Sequence, residues 1–152
     1  MKIFYAVIPG DLSAKLKTQN AVHRLIQRLS GGRLGWEALG MPVLELTTIG
    51  RKSGQRRSVM LTSPLSENGN MVIVASRGGD DAHPAWLLNL SDNPKVEVAV
   101  KGRAKEPMTA RIATPEERAR LWPQIAGSHS NYASYQTKTD REIPLVVLEP
   151  VT

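Results

Sequence analysis

Six short runs of alternating or continuous apolar and β-branched residues, set apart by glycine, proline and asparagine turn signals, constrain this chain more than any other feature. Residues 43–49 alternate toward a strand, residues 50–55 form a glycine-bearing turn, and residues 56–64 resume extended character, which together read as a hairpin. Ser66, Glu67, Asn68 and Gly69 make the next turn. Met71, Val72, Ile73, Val74 and Ala75 then form an apolar run of the kind found in a strand buried on both faces. Three sequential antiparallel strands are expected here. Val96, Val98 and Val100 alternate within residues 95–101, residues 105–113 supply a partner strand across a turn at Gly102, and residues 143–148 are a final apolar strand. Strands and helices do not alternate regularly, which argues against a doubly wound parallel sheet. About six mostly hairpin-connected strands of this length can close into a small barrel.

Helical signals are fewer. Leu12, Leu16, Val22, Leu25, Ile26 and Leu29 approximate helical spacing, with Lys15, Lys17, Arg24 and Arg28 on other faces and Gly31 and Gly32 as a stop. Such a helix packs on the domain, or rests its apolar side on a membrane surface. Pro84 opens a short helix over residues 85–90 that Asn93 and Pro94 stop. Thr114, Pro115, Glu116 and Glu117 spell a capping box, predicting a helix to about Ile125.

At 152 residues the chain suits one domain, 1–152, with residues 1–40 as helix and connector. Cysteine is absent, which removes disulfides, thiolate nucleophiles, iron–sulfur clusters and thiol-ligated zinc together. Residues 1–10 carry too short an apolar run for a signal peptide or spanning helix, so a cytoplasmic location is the default. A formal net charge of +6 favours an anionic partner: nucleic acid, a membrane surface or a phosphorylated cofactor. Aromatic residues are only 5% and mostly sit away from the basic run, which weighs against nucleic acid.

Three segments can carry chemistry. Residues 47–57 put Arg51, Lys52, Arg56 and Arg57 around a turn holding Gly50, Ser53 and Gly54, where amides, hydroxyls and guanidinium forks can converge on an anion; the plain alternative is a solvated hairpin. Ala75, Ser76, Arg77, Gly78 and Gly79 lie where a buried strand leaves the sheet, and glycines there let a planar ligand approach the backbone. Residues 131–142 cluster Tyr132, Tyr135, Thr139, Asp140 and Arg141 just before the last strand, and the two tyrosines, three apart, can share one face of a short helix as an apolar wall with phenol donors. On the residues alone, burial with one satisfied hydroxyl each is the preferred reading of that pair. His23, His83 and His129 are scattered, and no pair stands at metal-ligand spacing. Asp80 and Asp81 read as a solvent loop.

Taken in order, LTTIGRKSGQ (residues 46–55), VIVASRGG (72–79), HPAWLLNLSDNPKVEV (83–98) and YQTKTDREIPLVVLEP (135–150) resemble the deazaflavin-dependent nitroreductase family of reductases that use reduced coenzyme F-420. The resemblance implies a mainly β, α+β fold: a split β-barrel related to flavin reductases and pyridoxamine phosphate oxidases, with an N-terminal helix and short peripheral helices. It implies hydride transfer from reduced F-420 to a small organic acceptor such as a quinone, a nitroaromatic or an activated enoate, in a monomer or homodimer without a nucleic-acid partner. By resemblance, Arg51, Lys52, Ser53, Gly54, Arg56 and Arg57 bind the cofactor's phosphate and acidic tail, an assignment that suits arginine geometry. Ala75, Ser76, Arg77 and Gly78 contact the ring, and Pro84, Trp86 and Asn89 line the same groove. His129, Tyr132 and Tyr135 face the substrate, His129 standing where the family often has a third tyrosine. Ser76 or Tyr132 is expected to stabilise or protonate the developing oxyanion. Two alternatives stand beside this: flavin mononucleotide as cofactor in the same fold, and a non-enzymatic module whose basic hairpin takes a lipid headgroup, heme or nucleic acid.

Overall fold

The computed structural model describes residues 37–38, 40–100 and 103–151, so the expected N-terminal helix and the Gly102 turn lie outside the described residues. The elements are β1 (Glu37–Ala38), β2 (Met41–Ile49), β3 (Arg56–Thr62), β4 (Leu65–Glu67), β5 (Asn70–Val74), a 3-10 turn (Arg77–Gly79), α1 (Ala85–Asp92), β6 (Lys95–Val100), β7 (Glu106–Ile112), α2 (Pro115–Ser128), α3 (Ser130–Thr137) and β8 (Leu145–Pro150). The strands form one antiparallel sheet in the order β1-β2-β6-β7-β8-β5-β4, and β3 also pairs with β2. Among the described residues, no helix is long and apolar enough to cross a membrane.

β3 and β4 lie toward opposite ends of this sheet, yet only Ser63 and Pro64 separate them. The sheet therefore curls until its ends meet, as a split half-barrel. Ser63 stitches the meeting point: its amide donates to the Pro42 carbonyl on β2 at 2.9 Å and its hydroxyl to the Val72 carbonyl on β5 at 2.8 Å.

Curling gives the strands two apolar environments, and the period of two along a strand sorts residues between them. Leu44, Leu46, Ile73, Val96, Val98, Val146 and Leu148 pack with Trp86, Leu87 and Leu90 of α1. Met41, Val43, Val72, Val74 and Leu145 face the other way, against Leu121 and Ile125 of α2 and Tyr132 and Tyr135 of α3. Each fully buried Val, Leu or Ile contributes about 1.5–3 kcal/mol, so a one-residue slip of any central strand would exchange its two sets of side chains and is strongly disfavoured.

Two expectations are corrected. β5 does not extend the β2–β3 hairpin as a third consecutive strand; it pairs with β4 and β8. Pro64 has no amide for a ladder, so the extended run breaks there, and β4 turns back onto β5 through Asn68 and Gly69, both at positive φ. The last strand starts at Leu145, because the Ile143 amide donates to the Gln136 side chain at 2.9 Å and Pro144 follows. With β4 split from the β3 run and the two-residue β1 added, the described residues hold eight strands instead of about six.

The capping box forms as expected. The Thr114 hydroxyl accepts from the Glu117 amide, and the Glu117 carboxylate accepts from the Thr114 amide at 2.9 Å. Glu117 also takes a bidentate pair from Arg111 on β7 at 2.6 and 2.9 Å, tying α2 to the sheet. The Arg111 hydrogen bonds, then the Thr114 amide, hold its carboxyl down at about 2, against an ordinary 4.5. The helix continues past Ile125 to Ser128 despite Pro123, since Leu121 and Ile125, one turn apart and both buried, anchor it on either side.

Replacing Thr114 with Ala should lower the unfolding free energy by about 1 kcal/mol in urea titrations. Because folding depresses the Glu117 carboxyl, its contribution is fully present above pH 4.5 and lost as pH falls toward 2. The stability gap between wild type and Glu117→Gln should therefore be constant near neutrality and shrink below pH 4.5; a gap unchanged at pH 2.5 would contradict this.

Candidate functional site

The site starts at the β2–β3 turn. Gly50 accepts the Gly54 amide and donates to the Gln55 carbonyl, both at 2.8 Å, and the Ser53 hydroxyl accepts from the Gln55 amide at 3.1 Å. A Cβ on Gly50 would sit 2.6 Å from the Ser53 hydroxyl, and Gly54 has φ +71°, so this tight turn needs both glycines. Arg51, Lys52, Ser53, Gly54, Arg56 and Arg57 are all exposed on it. Arg56 pairs with Glu97 of β6 at 2.7 Å. An exposed pair of this kind contributes at most about 1 kcal/mol, weak enough for Arg56 to change partners.

Asn89 fixes where the turn points. Buried on α1, its carbonyl oxygen accepts from the Arg51 amide at 3.1 Å, and its amide nitrogen donates to the Thr48 hydroxyl at 3.1 Å. α1 is thus bolted to the basic turn. Its own N-terminus is Pro84, which ends the loop leaving β5, so one short helix sets the spacing between the two segments.

That loop is unusual in its backbone. Arg77, Gly78 and Gly79 all have positive φ (47°, 66° and 86°), and Arg77 is held there by an ion pair with Asp80 at 3.1 Å. A left-handed residue other than glycine is uncommon and strained. Gly79 presses on α3: a Cβ there would lie 2.7 Å from the Tyr135 carbonyl. Ser76 is fully buried, and its hydroxyl has no partner among the described residues. Such an orphan costs about 1–3 kcal/mol unless a further group bonds to it.

Arg141, noted in the sequence only as a member of the 131–142 cluster, holds the loop from behind. Its guanidinium donates to the carbonyls of Asp80 (2.8 Å), Ser76 (2.8 Å) and Ala75 (3.2 Å) and faces His83 Nδ1 at 3.1 Å. Burial lowers its pKa from the ordinary value, opposed by Asp80 and Asp81 and reinforced by Arg77, but an arginine stays charged at neutral pH. His83 is held below its usual value first by desolvation and then by Arg141, which keeps the ring neutral and able to accept. Thr139 adds a second latch, donating to the Asp81 carboxylate at 2.7 Å.

The remaining candidates are placed as follows. Pro84 and Trp86 are buried at the start of α1, Trp86 within the core that α1 packs against. Tyr132 and Tyr135 are buried on α3, edge to face at 6.1 Å, with the Tyr132 hydroxyl 2.6 Å from that of Thr62. His129 caps the row, edge-on to Tyr132 at 6.4 Å. The burial expected for the tyrosines from the residues alone is what the structure has. The basic turn and the glycine loop are therefore brought to one helix, and the tyrosines stand behind the loop.

Comparison with known proteins follows the same lines. Residues 19–150 match the F420H(2)-dependent quinone reductase family. The chain is 40% identical over 132 residues to an F420H(2)-dependent quinone reductase of Mycobacterium tuberculosis (strain H37Rv), covering 84% of this chain and 87% of that protein. Among solved structures, the F420-H2 dependent reductase FDR-A is 43% identical, with a TM-score of 0.63 over 71% of this chain and 94% of its own. Another, described as a domain-swapped dimer, is 38% identical, with a TM-score of 0.65 over 88% of this chain and 99% of its own.

Gly79→Ala should cost clearly more than the roughly 1–2 kcal/mol of the left-handed backbone alone, because its Cβ meets the Tyr135 carbonyl. Gly54→Ala, with open space around its Cβ, should cost only that backbone increment. Urea unfolding of the two variants side by side checks the order; equal losses would show that the loop does not bear on α3.

Proposed function

The chain belongs to the F420H(2)-dependent quinone reductase family, and on that premise we propose that this reductase delivers the hydride of reduced F-420 to a quinone. Its electron donor is reduced F-420; the flavin mononucleotide and non-enzymatic alternatives find no support in the family. The observation that carries the reading is the bolting of the exposed basic turn to α1 through Asn89, with the glycine loop at the other end of the same helix.

The residues suit the cofactor. Arg51, Lys52 and Arg57, with Arg56 once it leaves Glu97, offer charge and forked donors to a phosphate and a chain of carboxylates. The Ser53 hydroxyl and the open backbone at Gly54 add room and a donor. Ala75, Ser76, Arg77 and Gly78 would border the ring, with Pro84, Trp86 and Asn89 lining the same place. The orphaned, buried Ser76 hydroxyl supports a polar edge of the ring or of the acceptor in that place.

Bound reduced F-420 supplies a hydride, a two-electron donor suited to a quinone carbonyl system. The protein's part is to hold, aim and shield. The basic turn would hold the acidic tail, the loop backbone would orient the ring, and Pro84 and Trp86 would keep water from the reacting face. We assign Ser76 Oγ to donate a hydrogen bond to the acceptor oxygen as negative charge grows there. Tyr132 stands second for that role, since its hydroxyl is already engaged with Thr62. His129 and Tyr135 complete the acceptor side. A homodimer is the assembly favoured, supported by the dimer described for one relative.

Fluorescence titration with reduced F-420, followed by cofactor oxidation with quinones, nitroaromatics and enoates, tests the reading; quinones should give the highest kcat/KM, and a higher value for either other class would reassign the acceptor. Arg51→Ala with Lys52→Ala should raise the cofactor Kd about tenfold or more and leave kcat at saturation within about twofold. Loss confined to kcat would remove the tail assignment. Ser76→Ala should lower kcat with little change in cofactor Kd, whereas an unchanged kcat would retire its role.

A further inference from the structure

Arg141 is outside every segment assigned to the cofactor, yet it spends its side-chain donors on the loop that borders the ring. We propose that Arg141 is a positioning residue for cofactor binding: its guanidinium pulls the carbonyls of Ala75 and Ser76 inward and thereby aims the amides of Ser76 and Arg77 into the groove. This inference rests on the ring lying against that loop, as proposed above.

The geometry is that of a planar fork meeting acceptors from several directions. Nε donates to Asp80 at 2.8 Å, one terminal nitrogen to both Ser76 and Ala75 at 2.8 and 3.2 Å, and the other faces His83 Nδ1 at 3.1 Å. No cis peptide is present among the described residues. In a trans peptide the N–H points opposite to its C=O. Carbonyls of Ala75 and Ser76 that face Arg141 therefore turn the next amides, those of Ser76 and Arg77, to the opposite side of the chain, away from the guanidinium. Two successive amides on the side opposite a half-buried cation make a ready pair of donors for a ring carbonyl or imide edge.

Arg141 is itself held at both ends. Its amide donates to the Thr139 hydroxyl at 3.3 Å, and its carbonyl accepts from the Gln136 side chain at 2.8 Å. Thr139 in turn holds Asp81. The loop is thus clamped at Ala75, Ser76, Asp80, Asp81 and His83 from one three-residue segment. This also accounts for the tolerated strain at Arg77: the left-handed turn persists because its flanks are over-determined. Lysine could not replace the fork, since an ammonium is a point donor and cannot span acceptors on both sides of the turn.

The test compares wild type, Arg141→Lys and Arg141→Ala by three measurements: Kd for reduced F-420, urea unfolding, and amide hydrogen exchange of the cofactor-free protein. Exchange at Gly79 and Asp80 is informative because their amides bond within the loop, to Ser76 and Arg77. Both variants should bind reduced F-420 about tenfold or more weaker, with Gly79 and Asp80 exchanging about tenfold faster and the β5–β8 amides unchanged. A merely structural arginine would slow or speed exchange throughout the sheet together with the urea midpoint. Thr139→Val gives a milder release of the same loop, should either arginine variant fail to fold, and is expected to weaken binding about threefold. A Kd within twofold of wild type, or loop exchange unaltered, would overturn the positioning role while leaving the proposed function standing. Absence of F-420 binding by wild type would overturn the proposed function and this role with it.

Discussion

Burial of both faces of the same strands is the constraint from which the rest of this molecule follows. Val72 and Val74 point to one apolar cluster while Ile73, between them, points to another, and Leu145 and Val146 divide in the same way. A flat sheet with one covered face would leave one of these sets in water. Curling encloses one set with α1, and α2 and α3 cover the other. The Ser63 stitch between β2 and β5 shows how little polar chemistry is then needed to join the two ends of the sheet, because the apolar clusters have already brought them together.

The curl also decides where function can sit. Polar groups are costly inside such a protein unless paired, and of the seven polar side chains buried among the described residues four lie by the basic turn and the glycine loop: Thr48 and Asn89 under the turn, Ser76 at the exit of β5, Thr139 beside the loop. All but Ser76 are engaged within the chain. The loop is stiff instead of loose, with positive-φ residues locked between α3 and Arg141. If the ring lies there as proposed, the ordering of the loop has been met in folding and need not be met on binding.

Charge divides into two populations that look alike in a sequence. Arg111 and Glu117, with Glu149, are structural, binding α2 to β7 and β8. Arg118 lies along Trp122 and donates to the Ile143 carbonyl, and Arg120 pairs with Glu67. The cations of the β2–β3 turn differ: their side chains are exposed, and only Arg56 has a carboxylate partner in the described ion pairs. The excess of positive charge is therefore less telling than its position at the end of a hairpin whose backbone a buried asparagine holds still.

Local chemistry made much of this legible in advance. Glycine and proline punctuation marks the hairpins, the Thr114 box starts α2, and the ordered motifs around Arg51, Ser76 and Asn89 identify the family and its cofactor, because turn conformation, capping and anion binding depend on residues close together in the chain. The partner of β5 was not legible, since its apolar sides suit β3 as well as β8 and only the closure of the sheet chooses between them. The clamping role of Arg141 was equally hidden: the arginine stands in the 131–142 cluster, but nothing local marks it as a clamp, and it becomes one because β8 lies beside β5, which brings residue 141 to carbonyls 61 to 66 positions earlier. The sequence by itself determined the strands, the turns and the chemistry on offer; the tertiary structure alone decided which carbonyls face a cation, because that depends on contacts between segments that share no neighbourhood in the chain.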